Sequence, residues 1–280
     1  MSGIHCTVWD ETDGAGMPAV FVHSIFAWGS DDAYGFGAQR PLADRNRLLL
    51  MDRRGFGGSP DTDRSDFDVD ADDVVELLAR QEGGAHLVGH GNGGLAAMLA
   101  AGRRPDLVRS LTLIQPSAFS AAAEHPVVRD MLSRVGESAG VPESVTAEQY
   151  LRASTEGLGM AMPEPTPQRL RAVATSMRER PVWEAVVPLE PLRDAPWPTL
   201  VICGTWEDAP DLYRTYAGEP LMACAEAVAT TLDAQLLRVP GYYPHTQQPA
   251  AVNSALRALW RSVEDIEDEQ SAPSGPTQGR

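Results

Sequence analysis

The chain has 280 residues, 43% of them hydrophobic, and a formal net charge of −16. That length suits one large domain, or a domain carrying an inserted cap, and the acidic balance argues against nucleic acid or an anionic membrane as a partner. All 23 basic residues are arginine, which excludes the chemistry of a Schiff-base lysine.

No apolar run approaches the roughly 18 residues of a membrane span. The first residues, MSGIHCTVWDETDG, lack a basic region followed by an apolar one, so no signal peptide is expected. Cys6, Cys203 and Cys224 are few and scattered, which suits a reducing cytoplasm better than a disulfide framework.

In chain order, short apolar runs bounded by turn residues predict strands at 19–23 (AVFVH) and 47–51 (RLLLM). The loop DRRGFGGSP follows, and then a helix over 68–81, with Val69, Val74, Leu77 and Leu78 on its apolar side. HLVGH reads as a strand and LAAMLAAG as a helix that ends at Gly102. Further strands are expected in LVRSLTLIQP, PTLVICG (198–204) and AQLLRVPG (234–241), with a helix in ACAEAVATTL between the last two. AAVNSALRALWRSV forms the final helix. Strands alternating with helices imply an α/β fold with a mostly parallel sheet covered on both faces.

Between 119 and 190 the pattern changes to helical stretches separated by proline clusters. The expected organisation is a core of 1–118 and 191–263, a helical cap of 119–190, and an acidic, disordered tail over 264–280.

Residues 86–94, HLVGHGNGG, place a strand, a tight turn and a helix in succession. This is the frame of a nucleophile elbow, G-x-S-x-G, with Gly91 where the serine would stand. A residue without a heteroatom cannot attack a carbonyl. Four segments together resemble the α/β-hydrolase fold superfamily along nearly all of 18–262. FVHS (21–24) resembles an apolar strand followed by His-Gly, and DRRGFGGS (52–59) resembles D-x-R-G-x-G-x-S. GHGNGG (89–94) resembles G-H-S-x-G-G, and VPGYYPHTQQPAAVN (239–253) resembles the C-terminal histidine segment.

The resemblance implies an α/β-hydrolase core with an inserted helical cap. It implies an oxyanion site made by the backbone N–H groups of Asn92 and Ile25 beside Gly91. The family histidine falls on Tyr242 when the segment is aligned back from Pro249, and on His245 if one residue is inserted. The family acid falls on Glu207 or Asp208. His23, Phe26, Trp28, Tyr34, Trp183, Trp206 and Tyr243 fall in loops or cap segments expected to contact a flat or extended apolar substrate. His90 is expected to pack beside the elbow.

The six histidines show no metal-binding spacing, and the Gly-rich loops match no phosphate or dinucleotide motif. No metal, nucleotide or flavin is therefore expected, and the partner is a small molecule. Oligomeric state is left open, a homodimer included. With the serine missing, the expectation is a cofactor-independent, non-hydrolytic enzyme (a cyclase, isomerase or lyase) acting on a polyketide-type intermediate of natural-product biosynthesis. The competing readings are a slow hydrolase that activates water directly and a catalytically dead binding protein.

Overall fold

Seven strands form one sheet in the order β1-β3-β2-β4-β5-β6-β7 in the computed structural model, which describes residues 3–136 and 140–271. The strands are β1 (Cys6–Trp9), β2 (Pro18–Val22), β3 (Arg47–Met51), β4 (Ala85–His90), β5 (Val108–Ile114), β6 (Thr199–Gly204) and β7 (Gln235–Val239). β1 runs antiparallel to β3, and every other pairing is parallel. The sequence gives no apolar run for β1, a short edge strand that is only partly buried.

The central strands are apolar on both faces because both faces are covered. Successive side chains of a strand point to opposite sides, so Val20, Val22 and Leu87 join one core and Phe21 and Val88 the other. The first core lies under α1 (Phe67–Ala79), α2 (Gly91–Arg103) and a later helix over Glu219–Thr231. Asp66 caps α1 by accepting the N–H of Asp68 at 2.8 Å.

From β5 to β6 every described element is helical. The longer ones are α3 (Pro126–Gly136), α4 (Ala147–Ser154), α5 (Pro167–Ser176) and α6 (Leu189–Arg193). Thr146 and Gln149 form a capping box at the start of α4. After β6 come α7 (Asp211–Tyr213), a π-helical turn over Arg214–Gly218, and α8 (Glu219–Thr231). After β7 come α9 (Pro244–Gln247) and α10 (Pro249–Ser271). The second core is closed by α10, through Val252, Leu256 and Trp260, together with Phe36 and Leu42.

One expectation is corrected here. The chain from 264 to 271 continues α10 and is not a separate tail. Its sequence offers no glycine or proline before Pro273, and Glu, Gln and Ile tolerate a helix. The remainder of that expected tail lies outside the described residues. Among the described residues no helix is long and apolar enough to cross a membrane.

Buried charge ties the helical segment to the sheet. Arg169 of α5 makes a two-pronged pair with Asp31, at 2.7 Å for each oxygen, and both side chains are buried. Arg53, also buried, bonds Asp70 of α1 at 2.8 Å and Glu179 at 2.5 Å. Removing one partner of such a pair strands the other charge away from water. Asp31→Ala should therefore cost about 3–5 kcal/mol of stability, read as a lower denaturant midpoint with an unchanged slope.

Candidate active site

A cavity of about 310 Å³ opens at the C-terminal ends of the strands, beneath the helical segment. Its floor holds Ser24, Gly91, Asn92 and Ser117. Phe119, Tyr150, Met160, Tyr213 and Leu221 are among its apolar and aromatic walls. Ligand sites in α/β sheets form at this end of the strands because the loops there diverge and the helix N-termini point inward.

The turn from β4 into α2 sets the floor. Gly91 has φ +53°, a left-handed conformation that suits glycine. Gly93 lets the turn pass against the end of β2, since a Cβ there would lie 2.2 Å from the carbonyl oxygen of Val22. The backbone N–H of Asn92, in the first turn of α2, points at the Ser24 hydroxyl oxygen, 3.3 Å away. This donor carries the positive end of the helix dipole.

Three non-glycine residues with positive φ also line the cavity: Phe26 (60°), Gln115 (46°) and Trp206 (60°). Each costs of order 1–3 kcal/mol unless its surroundings enforce it, and here they do. The Phe26 carbonyl accepts from Arg169, and its N–H donates to the Ser176 hydroxyl at 3.2 Å. The Gln115 carboxamide oxygen accepts from the Gly204 N–H at 3.0 Å and from Trp206 Nε1 at 2.9 Å. Its NH₂ donates to the Tyr242 carbonyl at 3.0 Å.

The structure gathers part of the expected set at this cavity. Gly91, Asn92, Ile25, Phe26, Tyr34, Trp206 and Tyr243 line it. Tyr243 stands with its hydroxyl 2.8 Å from that of Tyr213. Burial raises the pKa of both phenols, so they act as hydrogen-bond donors and not as bases.

The other expected residues lie elsewhere. His245 is fully buried beneath the cavity, against Phe36 and His90, with Nε2 3.3 Å from the Tyr34 carbonyl and Nδ1 unpartnered. It lies in the first turn of α9, and among the described residues no carboxylate is hydrogen-bonded to its ring, Asp31 acting on it through charge alone. Glu207 and Asp208 are exposed, because the left-handed turn at Trp206 sends the indole inward and the acids out. Tyr242 packs its ring against Trp206 and Tyr213 outside the lining.

His23 is not a substrate contact. It is buried, with Nδ1 2.7 Å from the Ser24 carbonyl and Nε2 accepting the Arg53 N–H at 3.0 Å, so it orders its own loop. Trp28 stacks under the Arg169 guanidinium at 4.7 Å, and Trp183 is an exposed surface residue. The DRRGFGGS loop is likewise structural. Asp52 accepts the N–H groups of Gly29 and Gly58, each at 2.8 Å, and fastens two loops together.

Sequence reasoning assigned Ser24 no chemical role and placed His90 only as packing beside the elbow. Ser24 sits where a glycine was the reference, so its hydroxyl attracted no attention. His90 is the histidine that lines the cavity, with its ring 4.2 Å from that of His245 and Nδ1 buried without a partner. Burial holds it well below the ordinary imidazole range, with the neighbouring His245 acting in the same direction.

Burial likewise lowers His23, His245 (to about 4) and His86 (to about 3). All four are neutral in the fold and protonate below about pH 6.5 once unfolded. The unfolded chain then binds more protons, and stability falls as pH drops through that window. Asp70, raised by burial to about 6, works in the opposite sense between about pH 6 and 4, but it is one group against four. The melting temperature should therefore fall by several degrees between about pH 7 and pH 5, as differential scanning calorimetry would read it.

A family model described as the alpha/beta hydrolase family matches residues 19–255. The chain is 34% identical over 119 residues to the pimeloyl-(acyl-carrier protein) methyl ester esterase of Aeromonas salmonicida (strain A449), covering 41% of this chain and 44% of that protein. It is 33% identical over 143 residues to the 2-(acetamidomethylene)succinate hydrolase of Mesorhizobium japonicum, covering 49% of each. The chain thus spans about half the length of the curated relatives it matches. Among solved structures, a thermophilic esterase from Thermogutta terrifontis is 25% identical, with a TM-score of 0.60 over 93% of both chains.

These names correct the functional expectation. The relatives are hydrolases and esterases, so the non-hydrolytic cyclase, isomerase or lyase acting on a polyketide-type intermediate is overturned.

Proposed function

Given that the chain belongs to the alpha/beta hydrolase family, we propose that it is a hydrolase of small-molecule esters or lactones, and that an apolar substrate portion is held among the cavity's aromatic side chains. The observation that carries this reading is the Asn92 N–H, which stands at the head of α2 on the floor of a largely apolar cavity with a hydroxyl 3.3 Å away. A donor so placed stabilises the oxyanion that forms when a carbonyl is attacked. Ester hydrolysis is also the activity for which relatives of this chain are named.

Gly91 takes the family serine's place in this reading, so no acyl group is carried at position 91. Neither His245 nor the pair Glu207 and Asp208 reaches the cavity, so the proton-transfer role goes to His90. Burial keeps His90 neutral, and the neutral imidazole is the form that accepts a proton from an attacking oxygen. The Tyr213–Tyr243 hydroxyl pair, held protonated, supplies a polar point on an otherwise apolar wall. The cavity is at the small end of ligand sites, which run from about 300 to 1,000 Å³, so the substrate is compact. The scheme draws on no cofactor.

The test is acid release from a panel of aryl esters and lactones with short apolar acyl groups. The expected outcome is turnover above the buffer rate, with kcat/KM falling about ten-fold or more in Leu221→Trp, which fills the cavity. Because His90 titrates well below 6.5, kcat/KM should stay level from about pH 8 down to about pH 5.5. Substrates that bind yet are recovered unchanged would overturn the reading in favour of a binding protein.

A further inference from the structure

We propose that Ser24 is the nucleophile of this site, presenting from the loop after β2 the hydroxyl that the family presents from the elbow. The inference rests on the hydrolase reading above. A Cβ built on Gly91 would lie 2.2 Å from Ser24 Oγ and 2.9 Å from Ser24 Cβ. The space a side chain at position 91 needs is therefore already filled by the Ser24 hydroxymethyl group. Ser24 Oγ is also the atom that accepts the Asn92 N–H, at 3.3 Å, and it faces the cavity from a residue only 8% exposed.

The sequence carries the same exchange. Where the resemblance has His-Gly this chain has His23-Ser24, and where it has serine at the elbow this chain has Gly91. Glycine and serine have traded places across one narrow gap, and the hydroxyl stays in it. The loop that bears Ser24 is fixed for the task. Its carbonyl accepts from His23 Nδ1 at 2.7 Å and from Arg53 Nη2 at 3.3 Å, and both donors are buried.

The step balances without a further reagent. Ser24 Oγ bonds to the substrate carbonyl carbon, and the Asn92 N–H turns to the carbonyl oxygen as its charge grows. The bond from carbon to the alcohol oxygen then breaks. The serine proton ends on that oxygen, and His90, which lines the same cavity, is the group assigned to carry it across. Water next attacks the acyl carbon, the bond to Oγ breaks, and the acid leaves with the Ser24 hydroxyl restored.

The test is fluorophosphonate treatment followed by intact mass and peptide mapping, alongside ester hydrolysis, for four chains. The native chain should gain one adduct, mapped to Ser24. Ser24→Ala should lose the adduct and about 100-fold or more of the turnover. Gly91→Ser alone should melt lower, because its Cβ meets Ser24. The double variant Ser24→Gly/Gly91→Ser should recover the melting temperature and carry the adduct at position 91. Hydrolysis by the native chain that survives Ser24→Ala without an adduct would overturn the Ser24 proposal while leaving the hydrolase reading intact. An adduct on any other residue would overturn it as well. No hydrolysis by the native chain would remove both.

Discussion

The narrow gap between the β4–α2 turn and the loop after β2 is the constraint on which the rest of this structure depends. Three backbone features converge there: the left-handed turn at Gly91, the close passage of Gly93 against Val22, and the Asn92 N–H in the first turn of α2, which donates to the Ser24 hydroxyl. The gap admits one hydroxymethyl group. Whichever loop supplies it, the other must carry glycine. The sheet serves to hold these loops in register, with β2 and β4 paired directly from Ala19–His86 to Val22–Gly89.

The helical segment over the cavity is held both by apolar packing, with Val128, Met131, Val182 and Leu192 in the first core, and by buried charge. Its two main ties, Arg169 to Asp31 and Glu179 to Arg53, are buried and geometrically specific. Such pairs add little net stability over apolar contacts, but they tolerate only one arrangement. Arg169 also reaches the Phe26 carbonyl and lies over the rings of Trp28 and Tyr34. The position of the segment and the strained conformation of Phe26 are thus fixed by the same side chain.

Much of the fold was legible in the sequence because its signals are local. Apolar runs such as RLLLM and LVICG have no stable home except a doubly covered strand, and the structure has them as β3 and β6. The site was legible only where the backbone decides it. The glycines of GHGNGG announce the turn and hence Asn92. The side chains were harder, because their direction follows from single dihedral angles. At Trp206 a left-handed φ places the indole in the cavity and leaves Glu207 and Asp208 in solvent. At His245, four residues of helix turn a histidine at the expected place in the sequence into a buried packing residue. Ser24 became visible only when two loops far apart in the chain were seen to share one space.

Gln115 has a consequence of a different kind. Its carboxamide joins the end of β6, the Trp206 indole and the Tyr242 carbonyl, so the loops after β6 and β7 are tied to the end of β5 through a group that never ionises. Those two loops are where the sequence resemblance puts the family's acid and histidine. In this chain the link between them is indifferent to proton concentration. This part of the cavity wall is thus tied together without a titrating group, and its shape around the substrate is kept as pH changes.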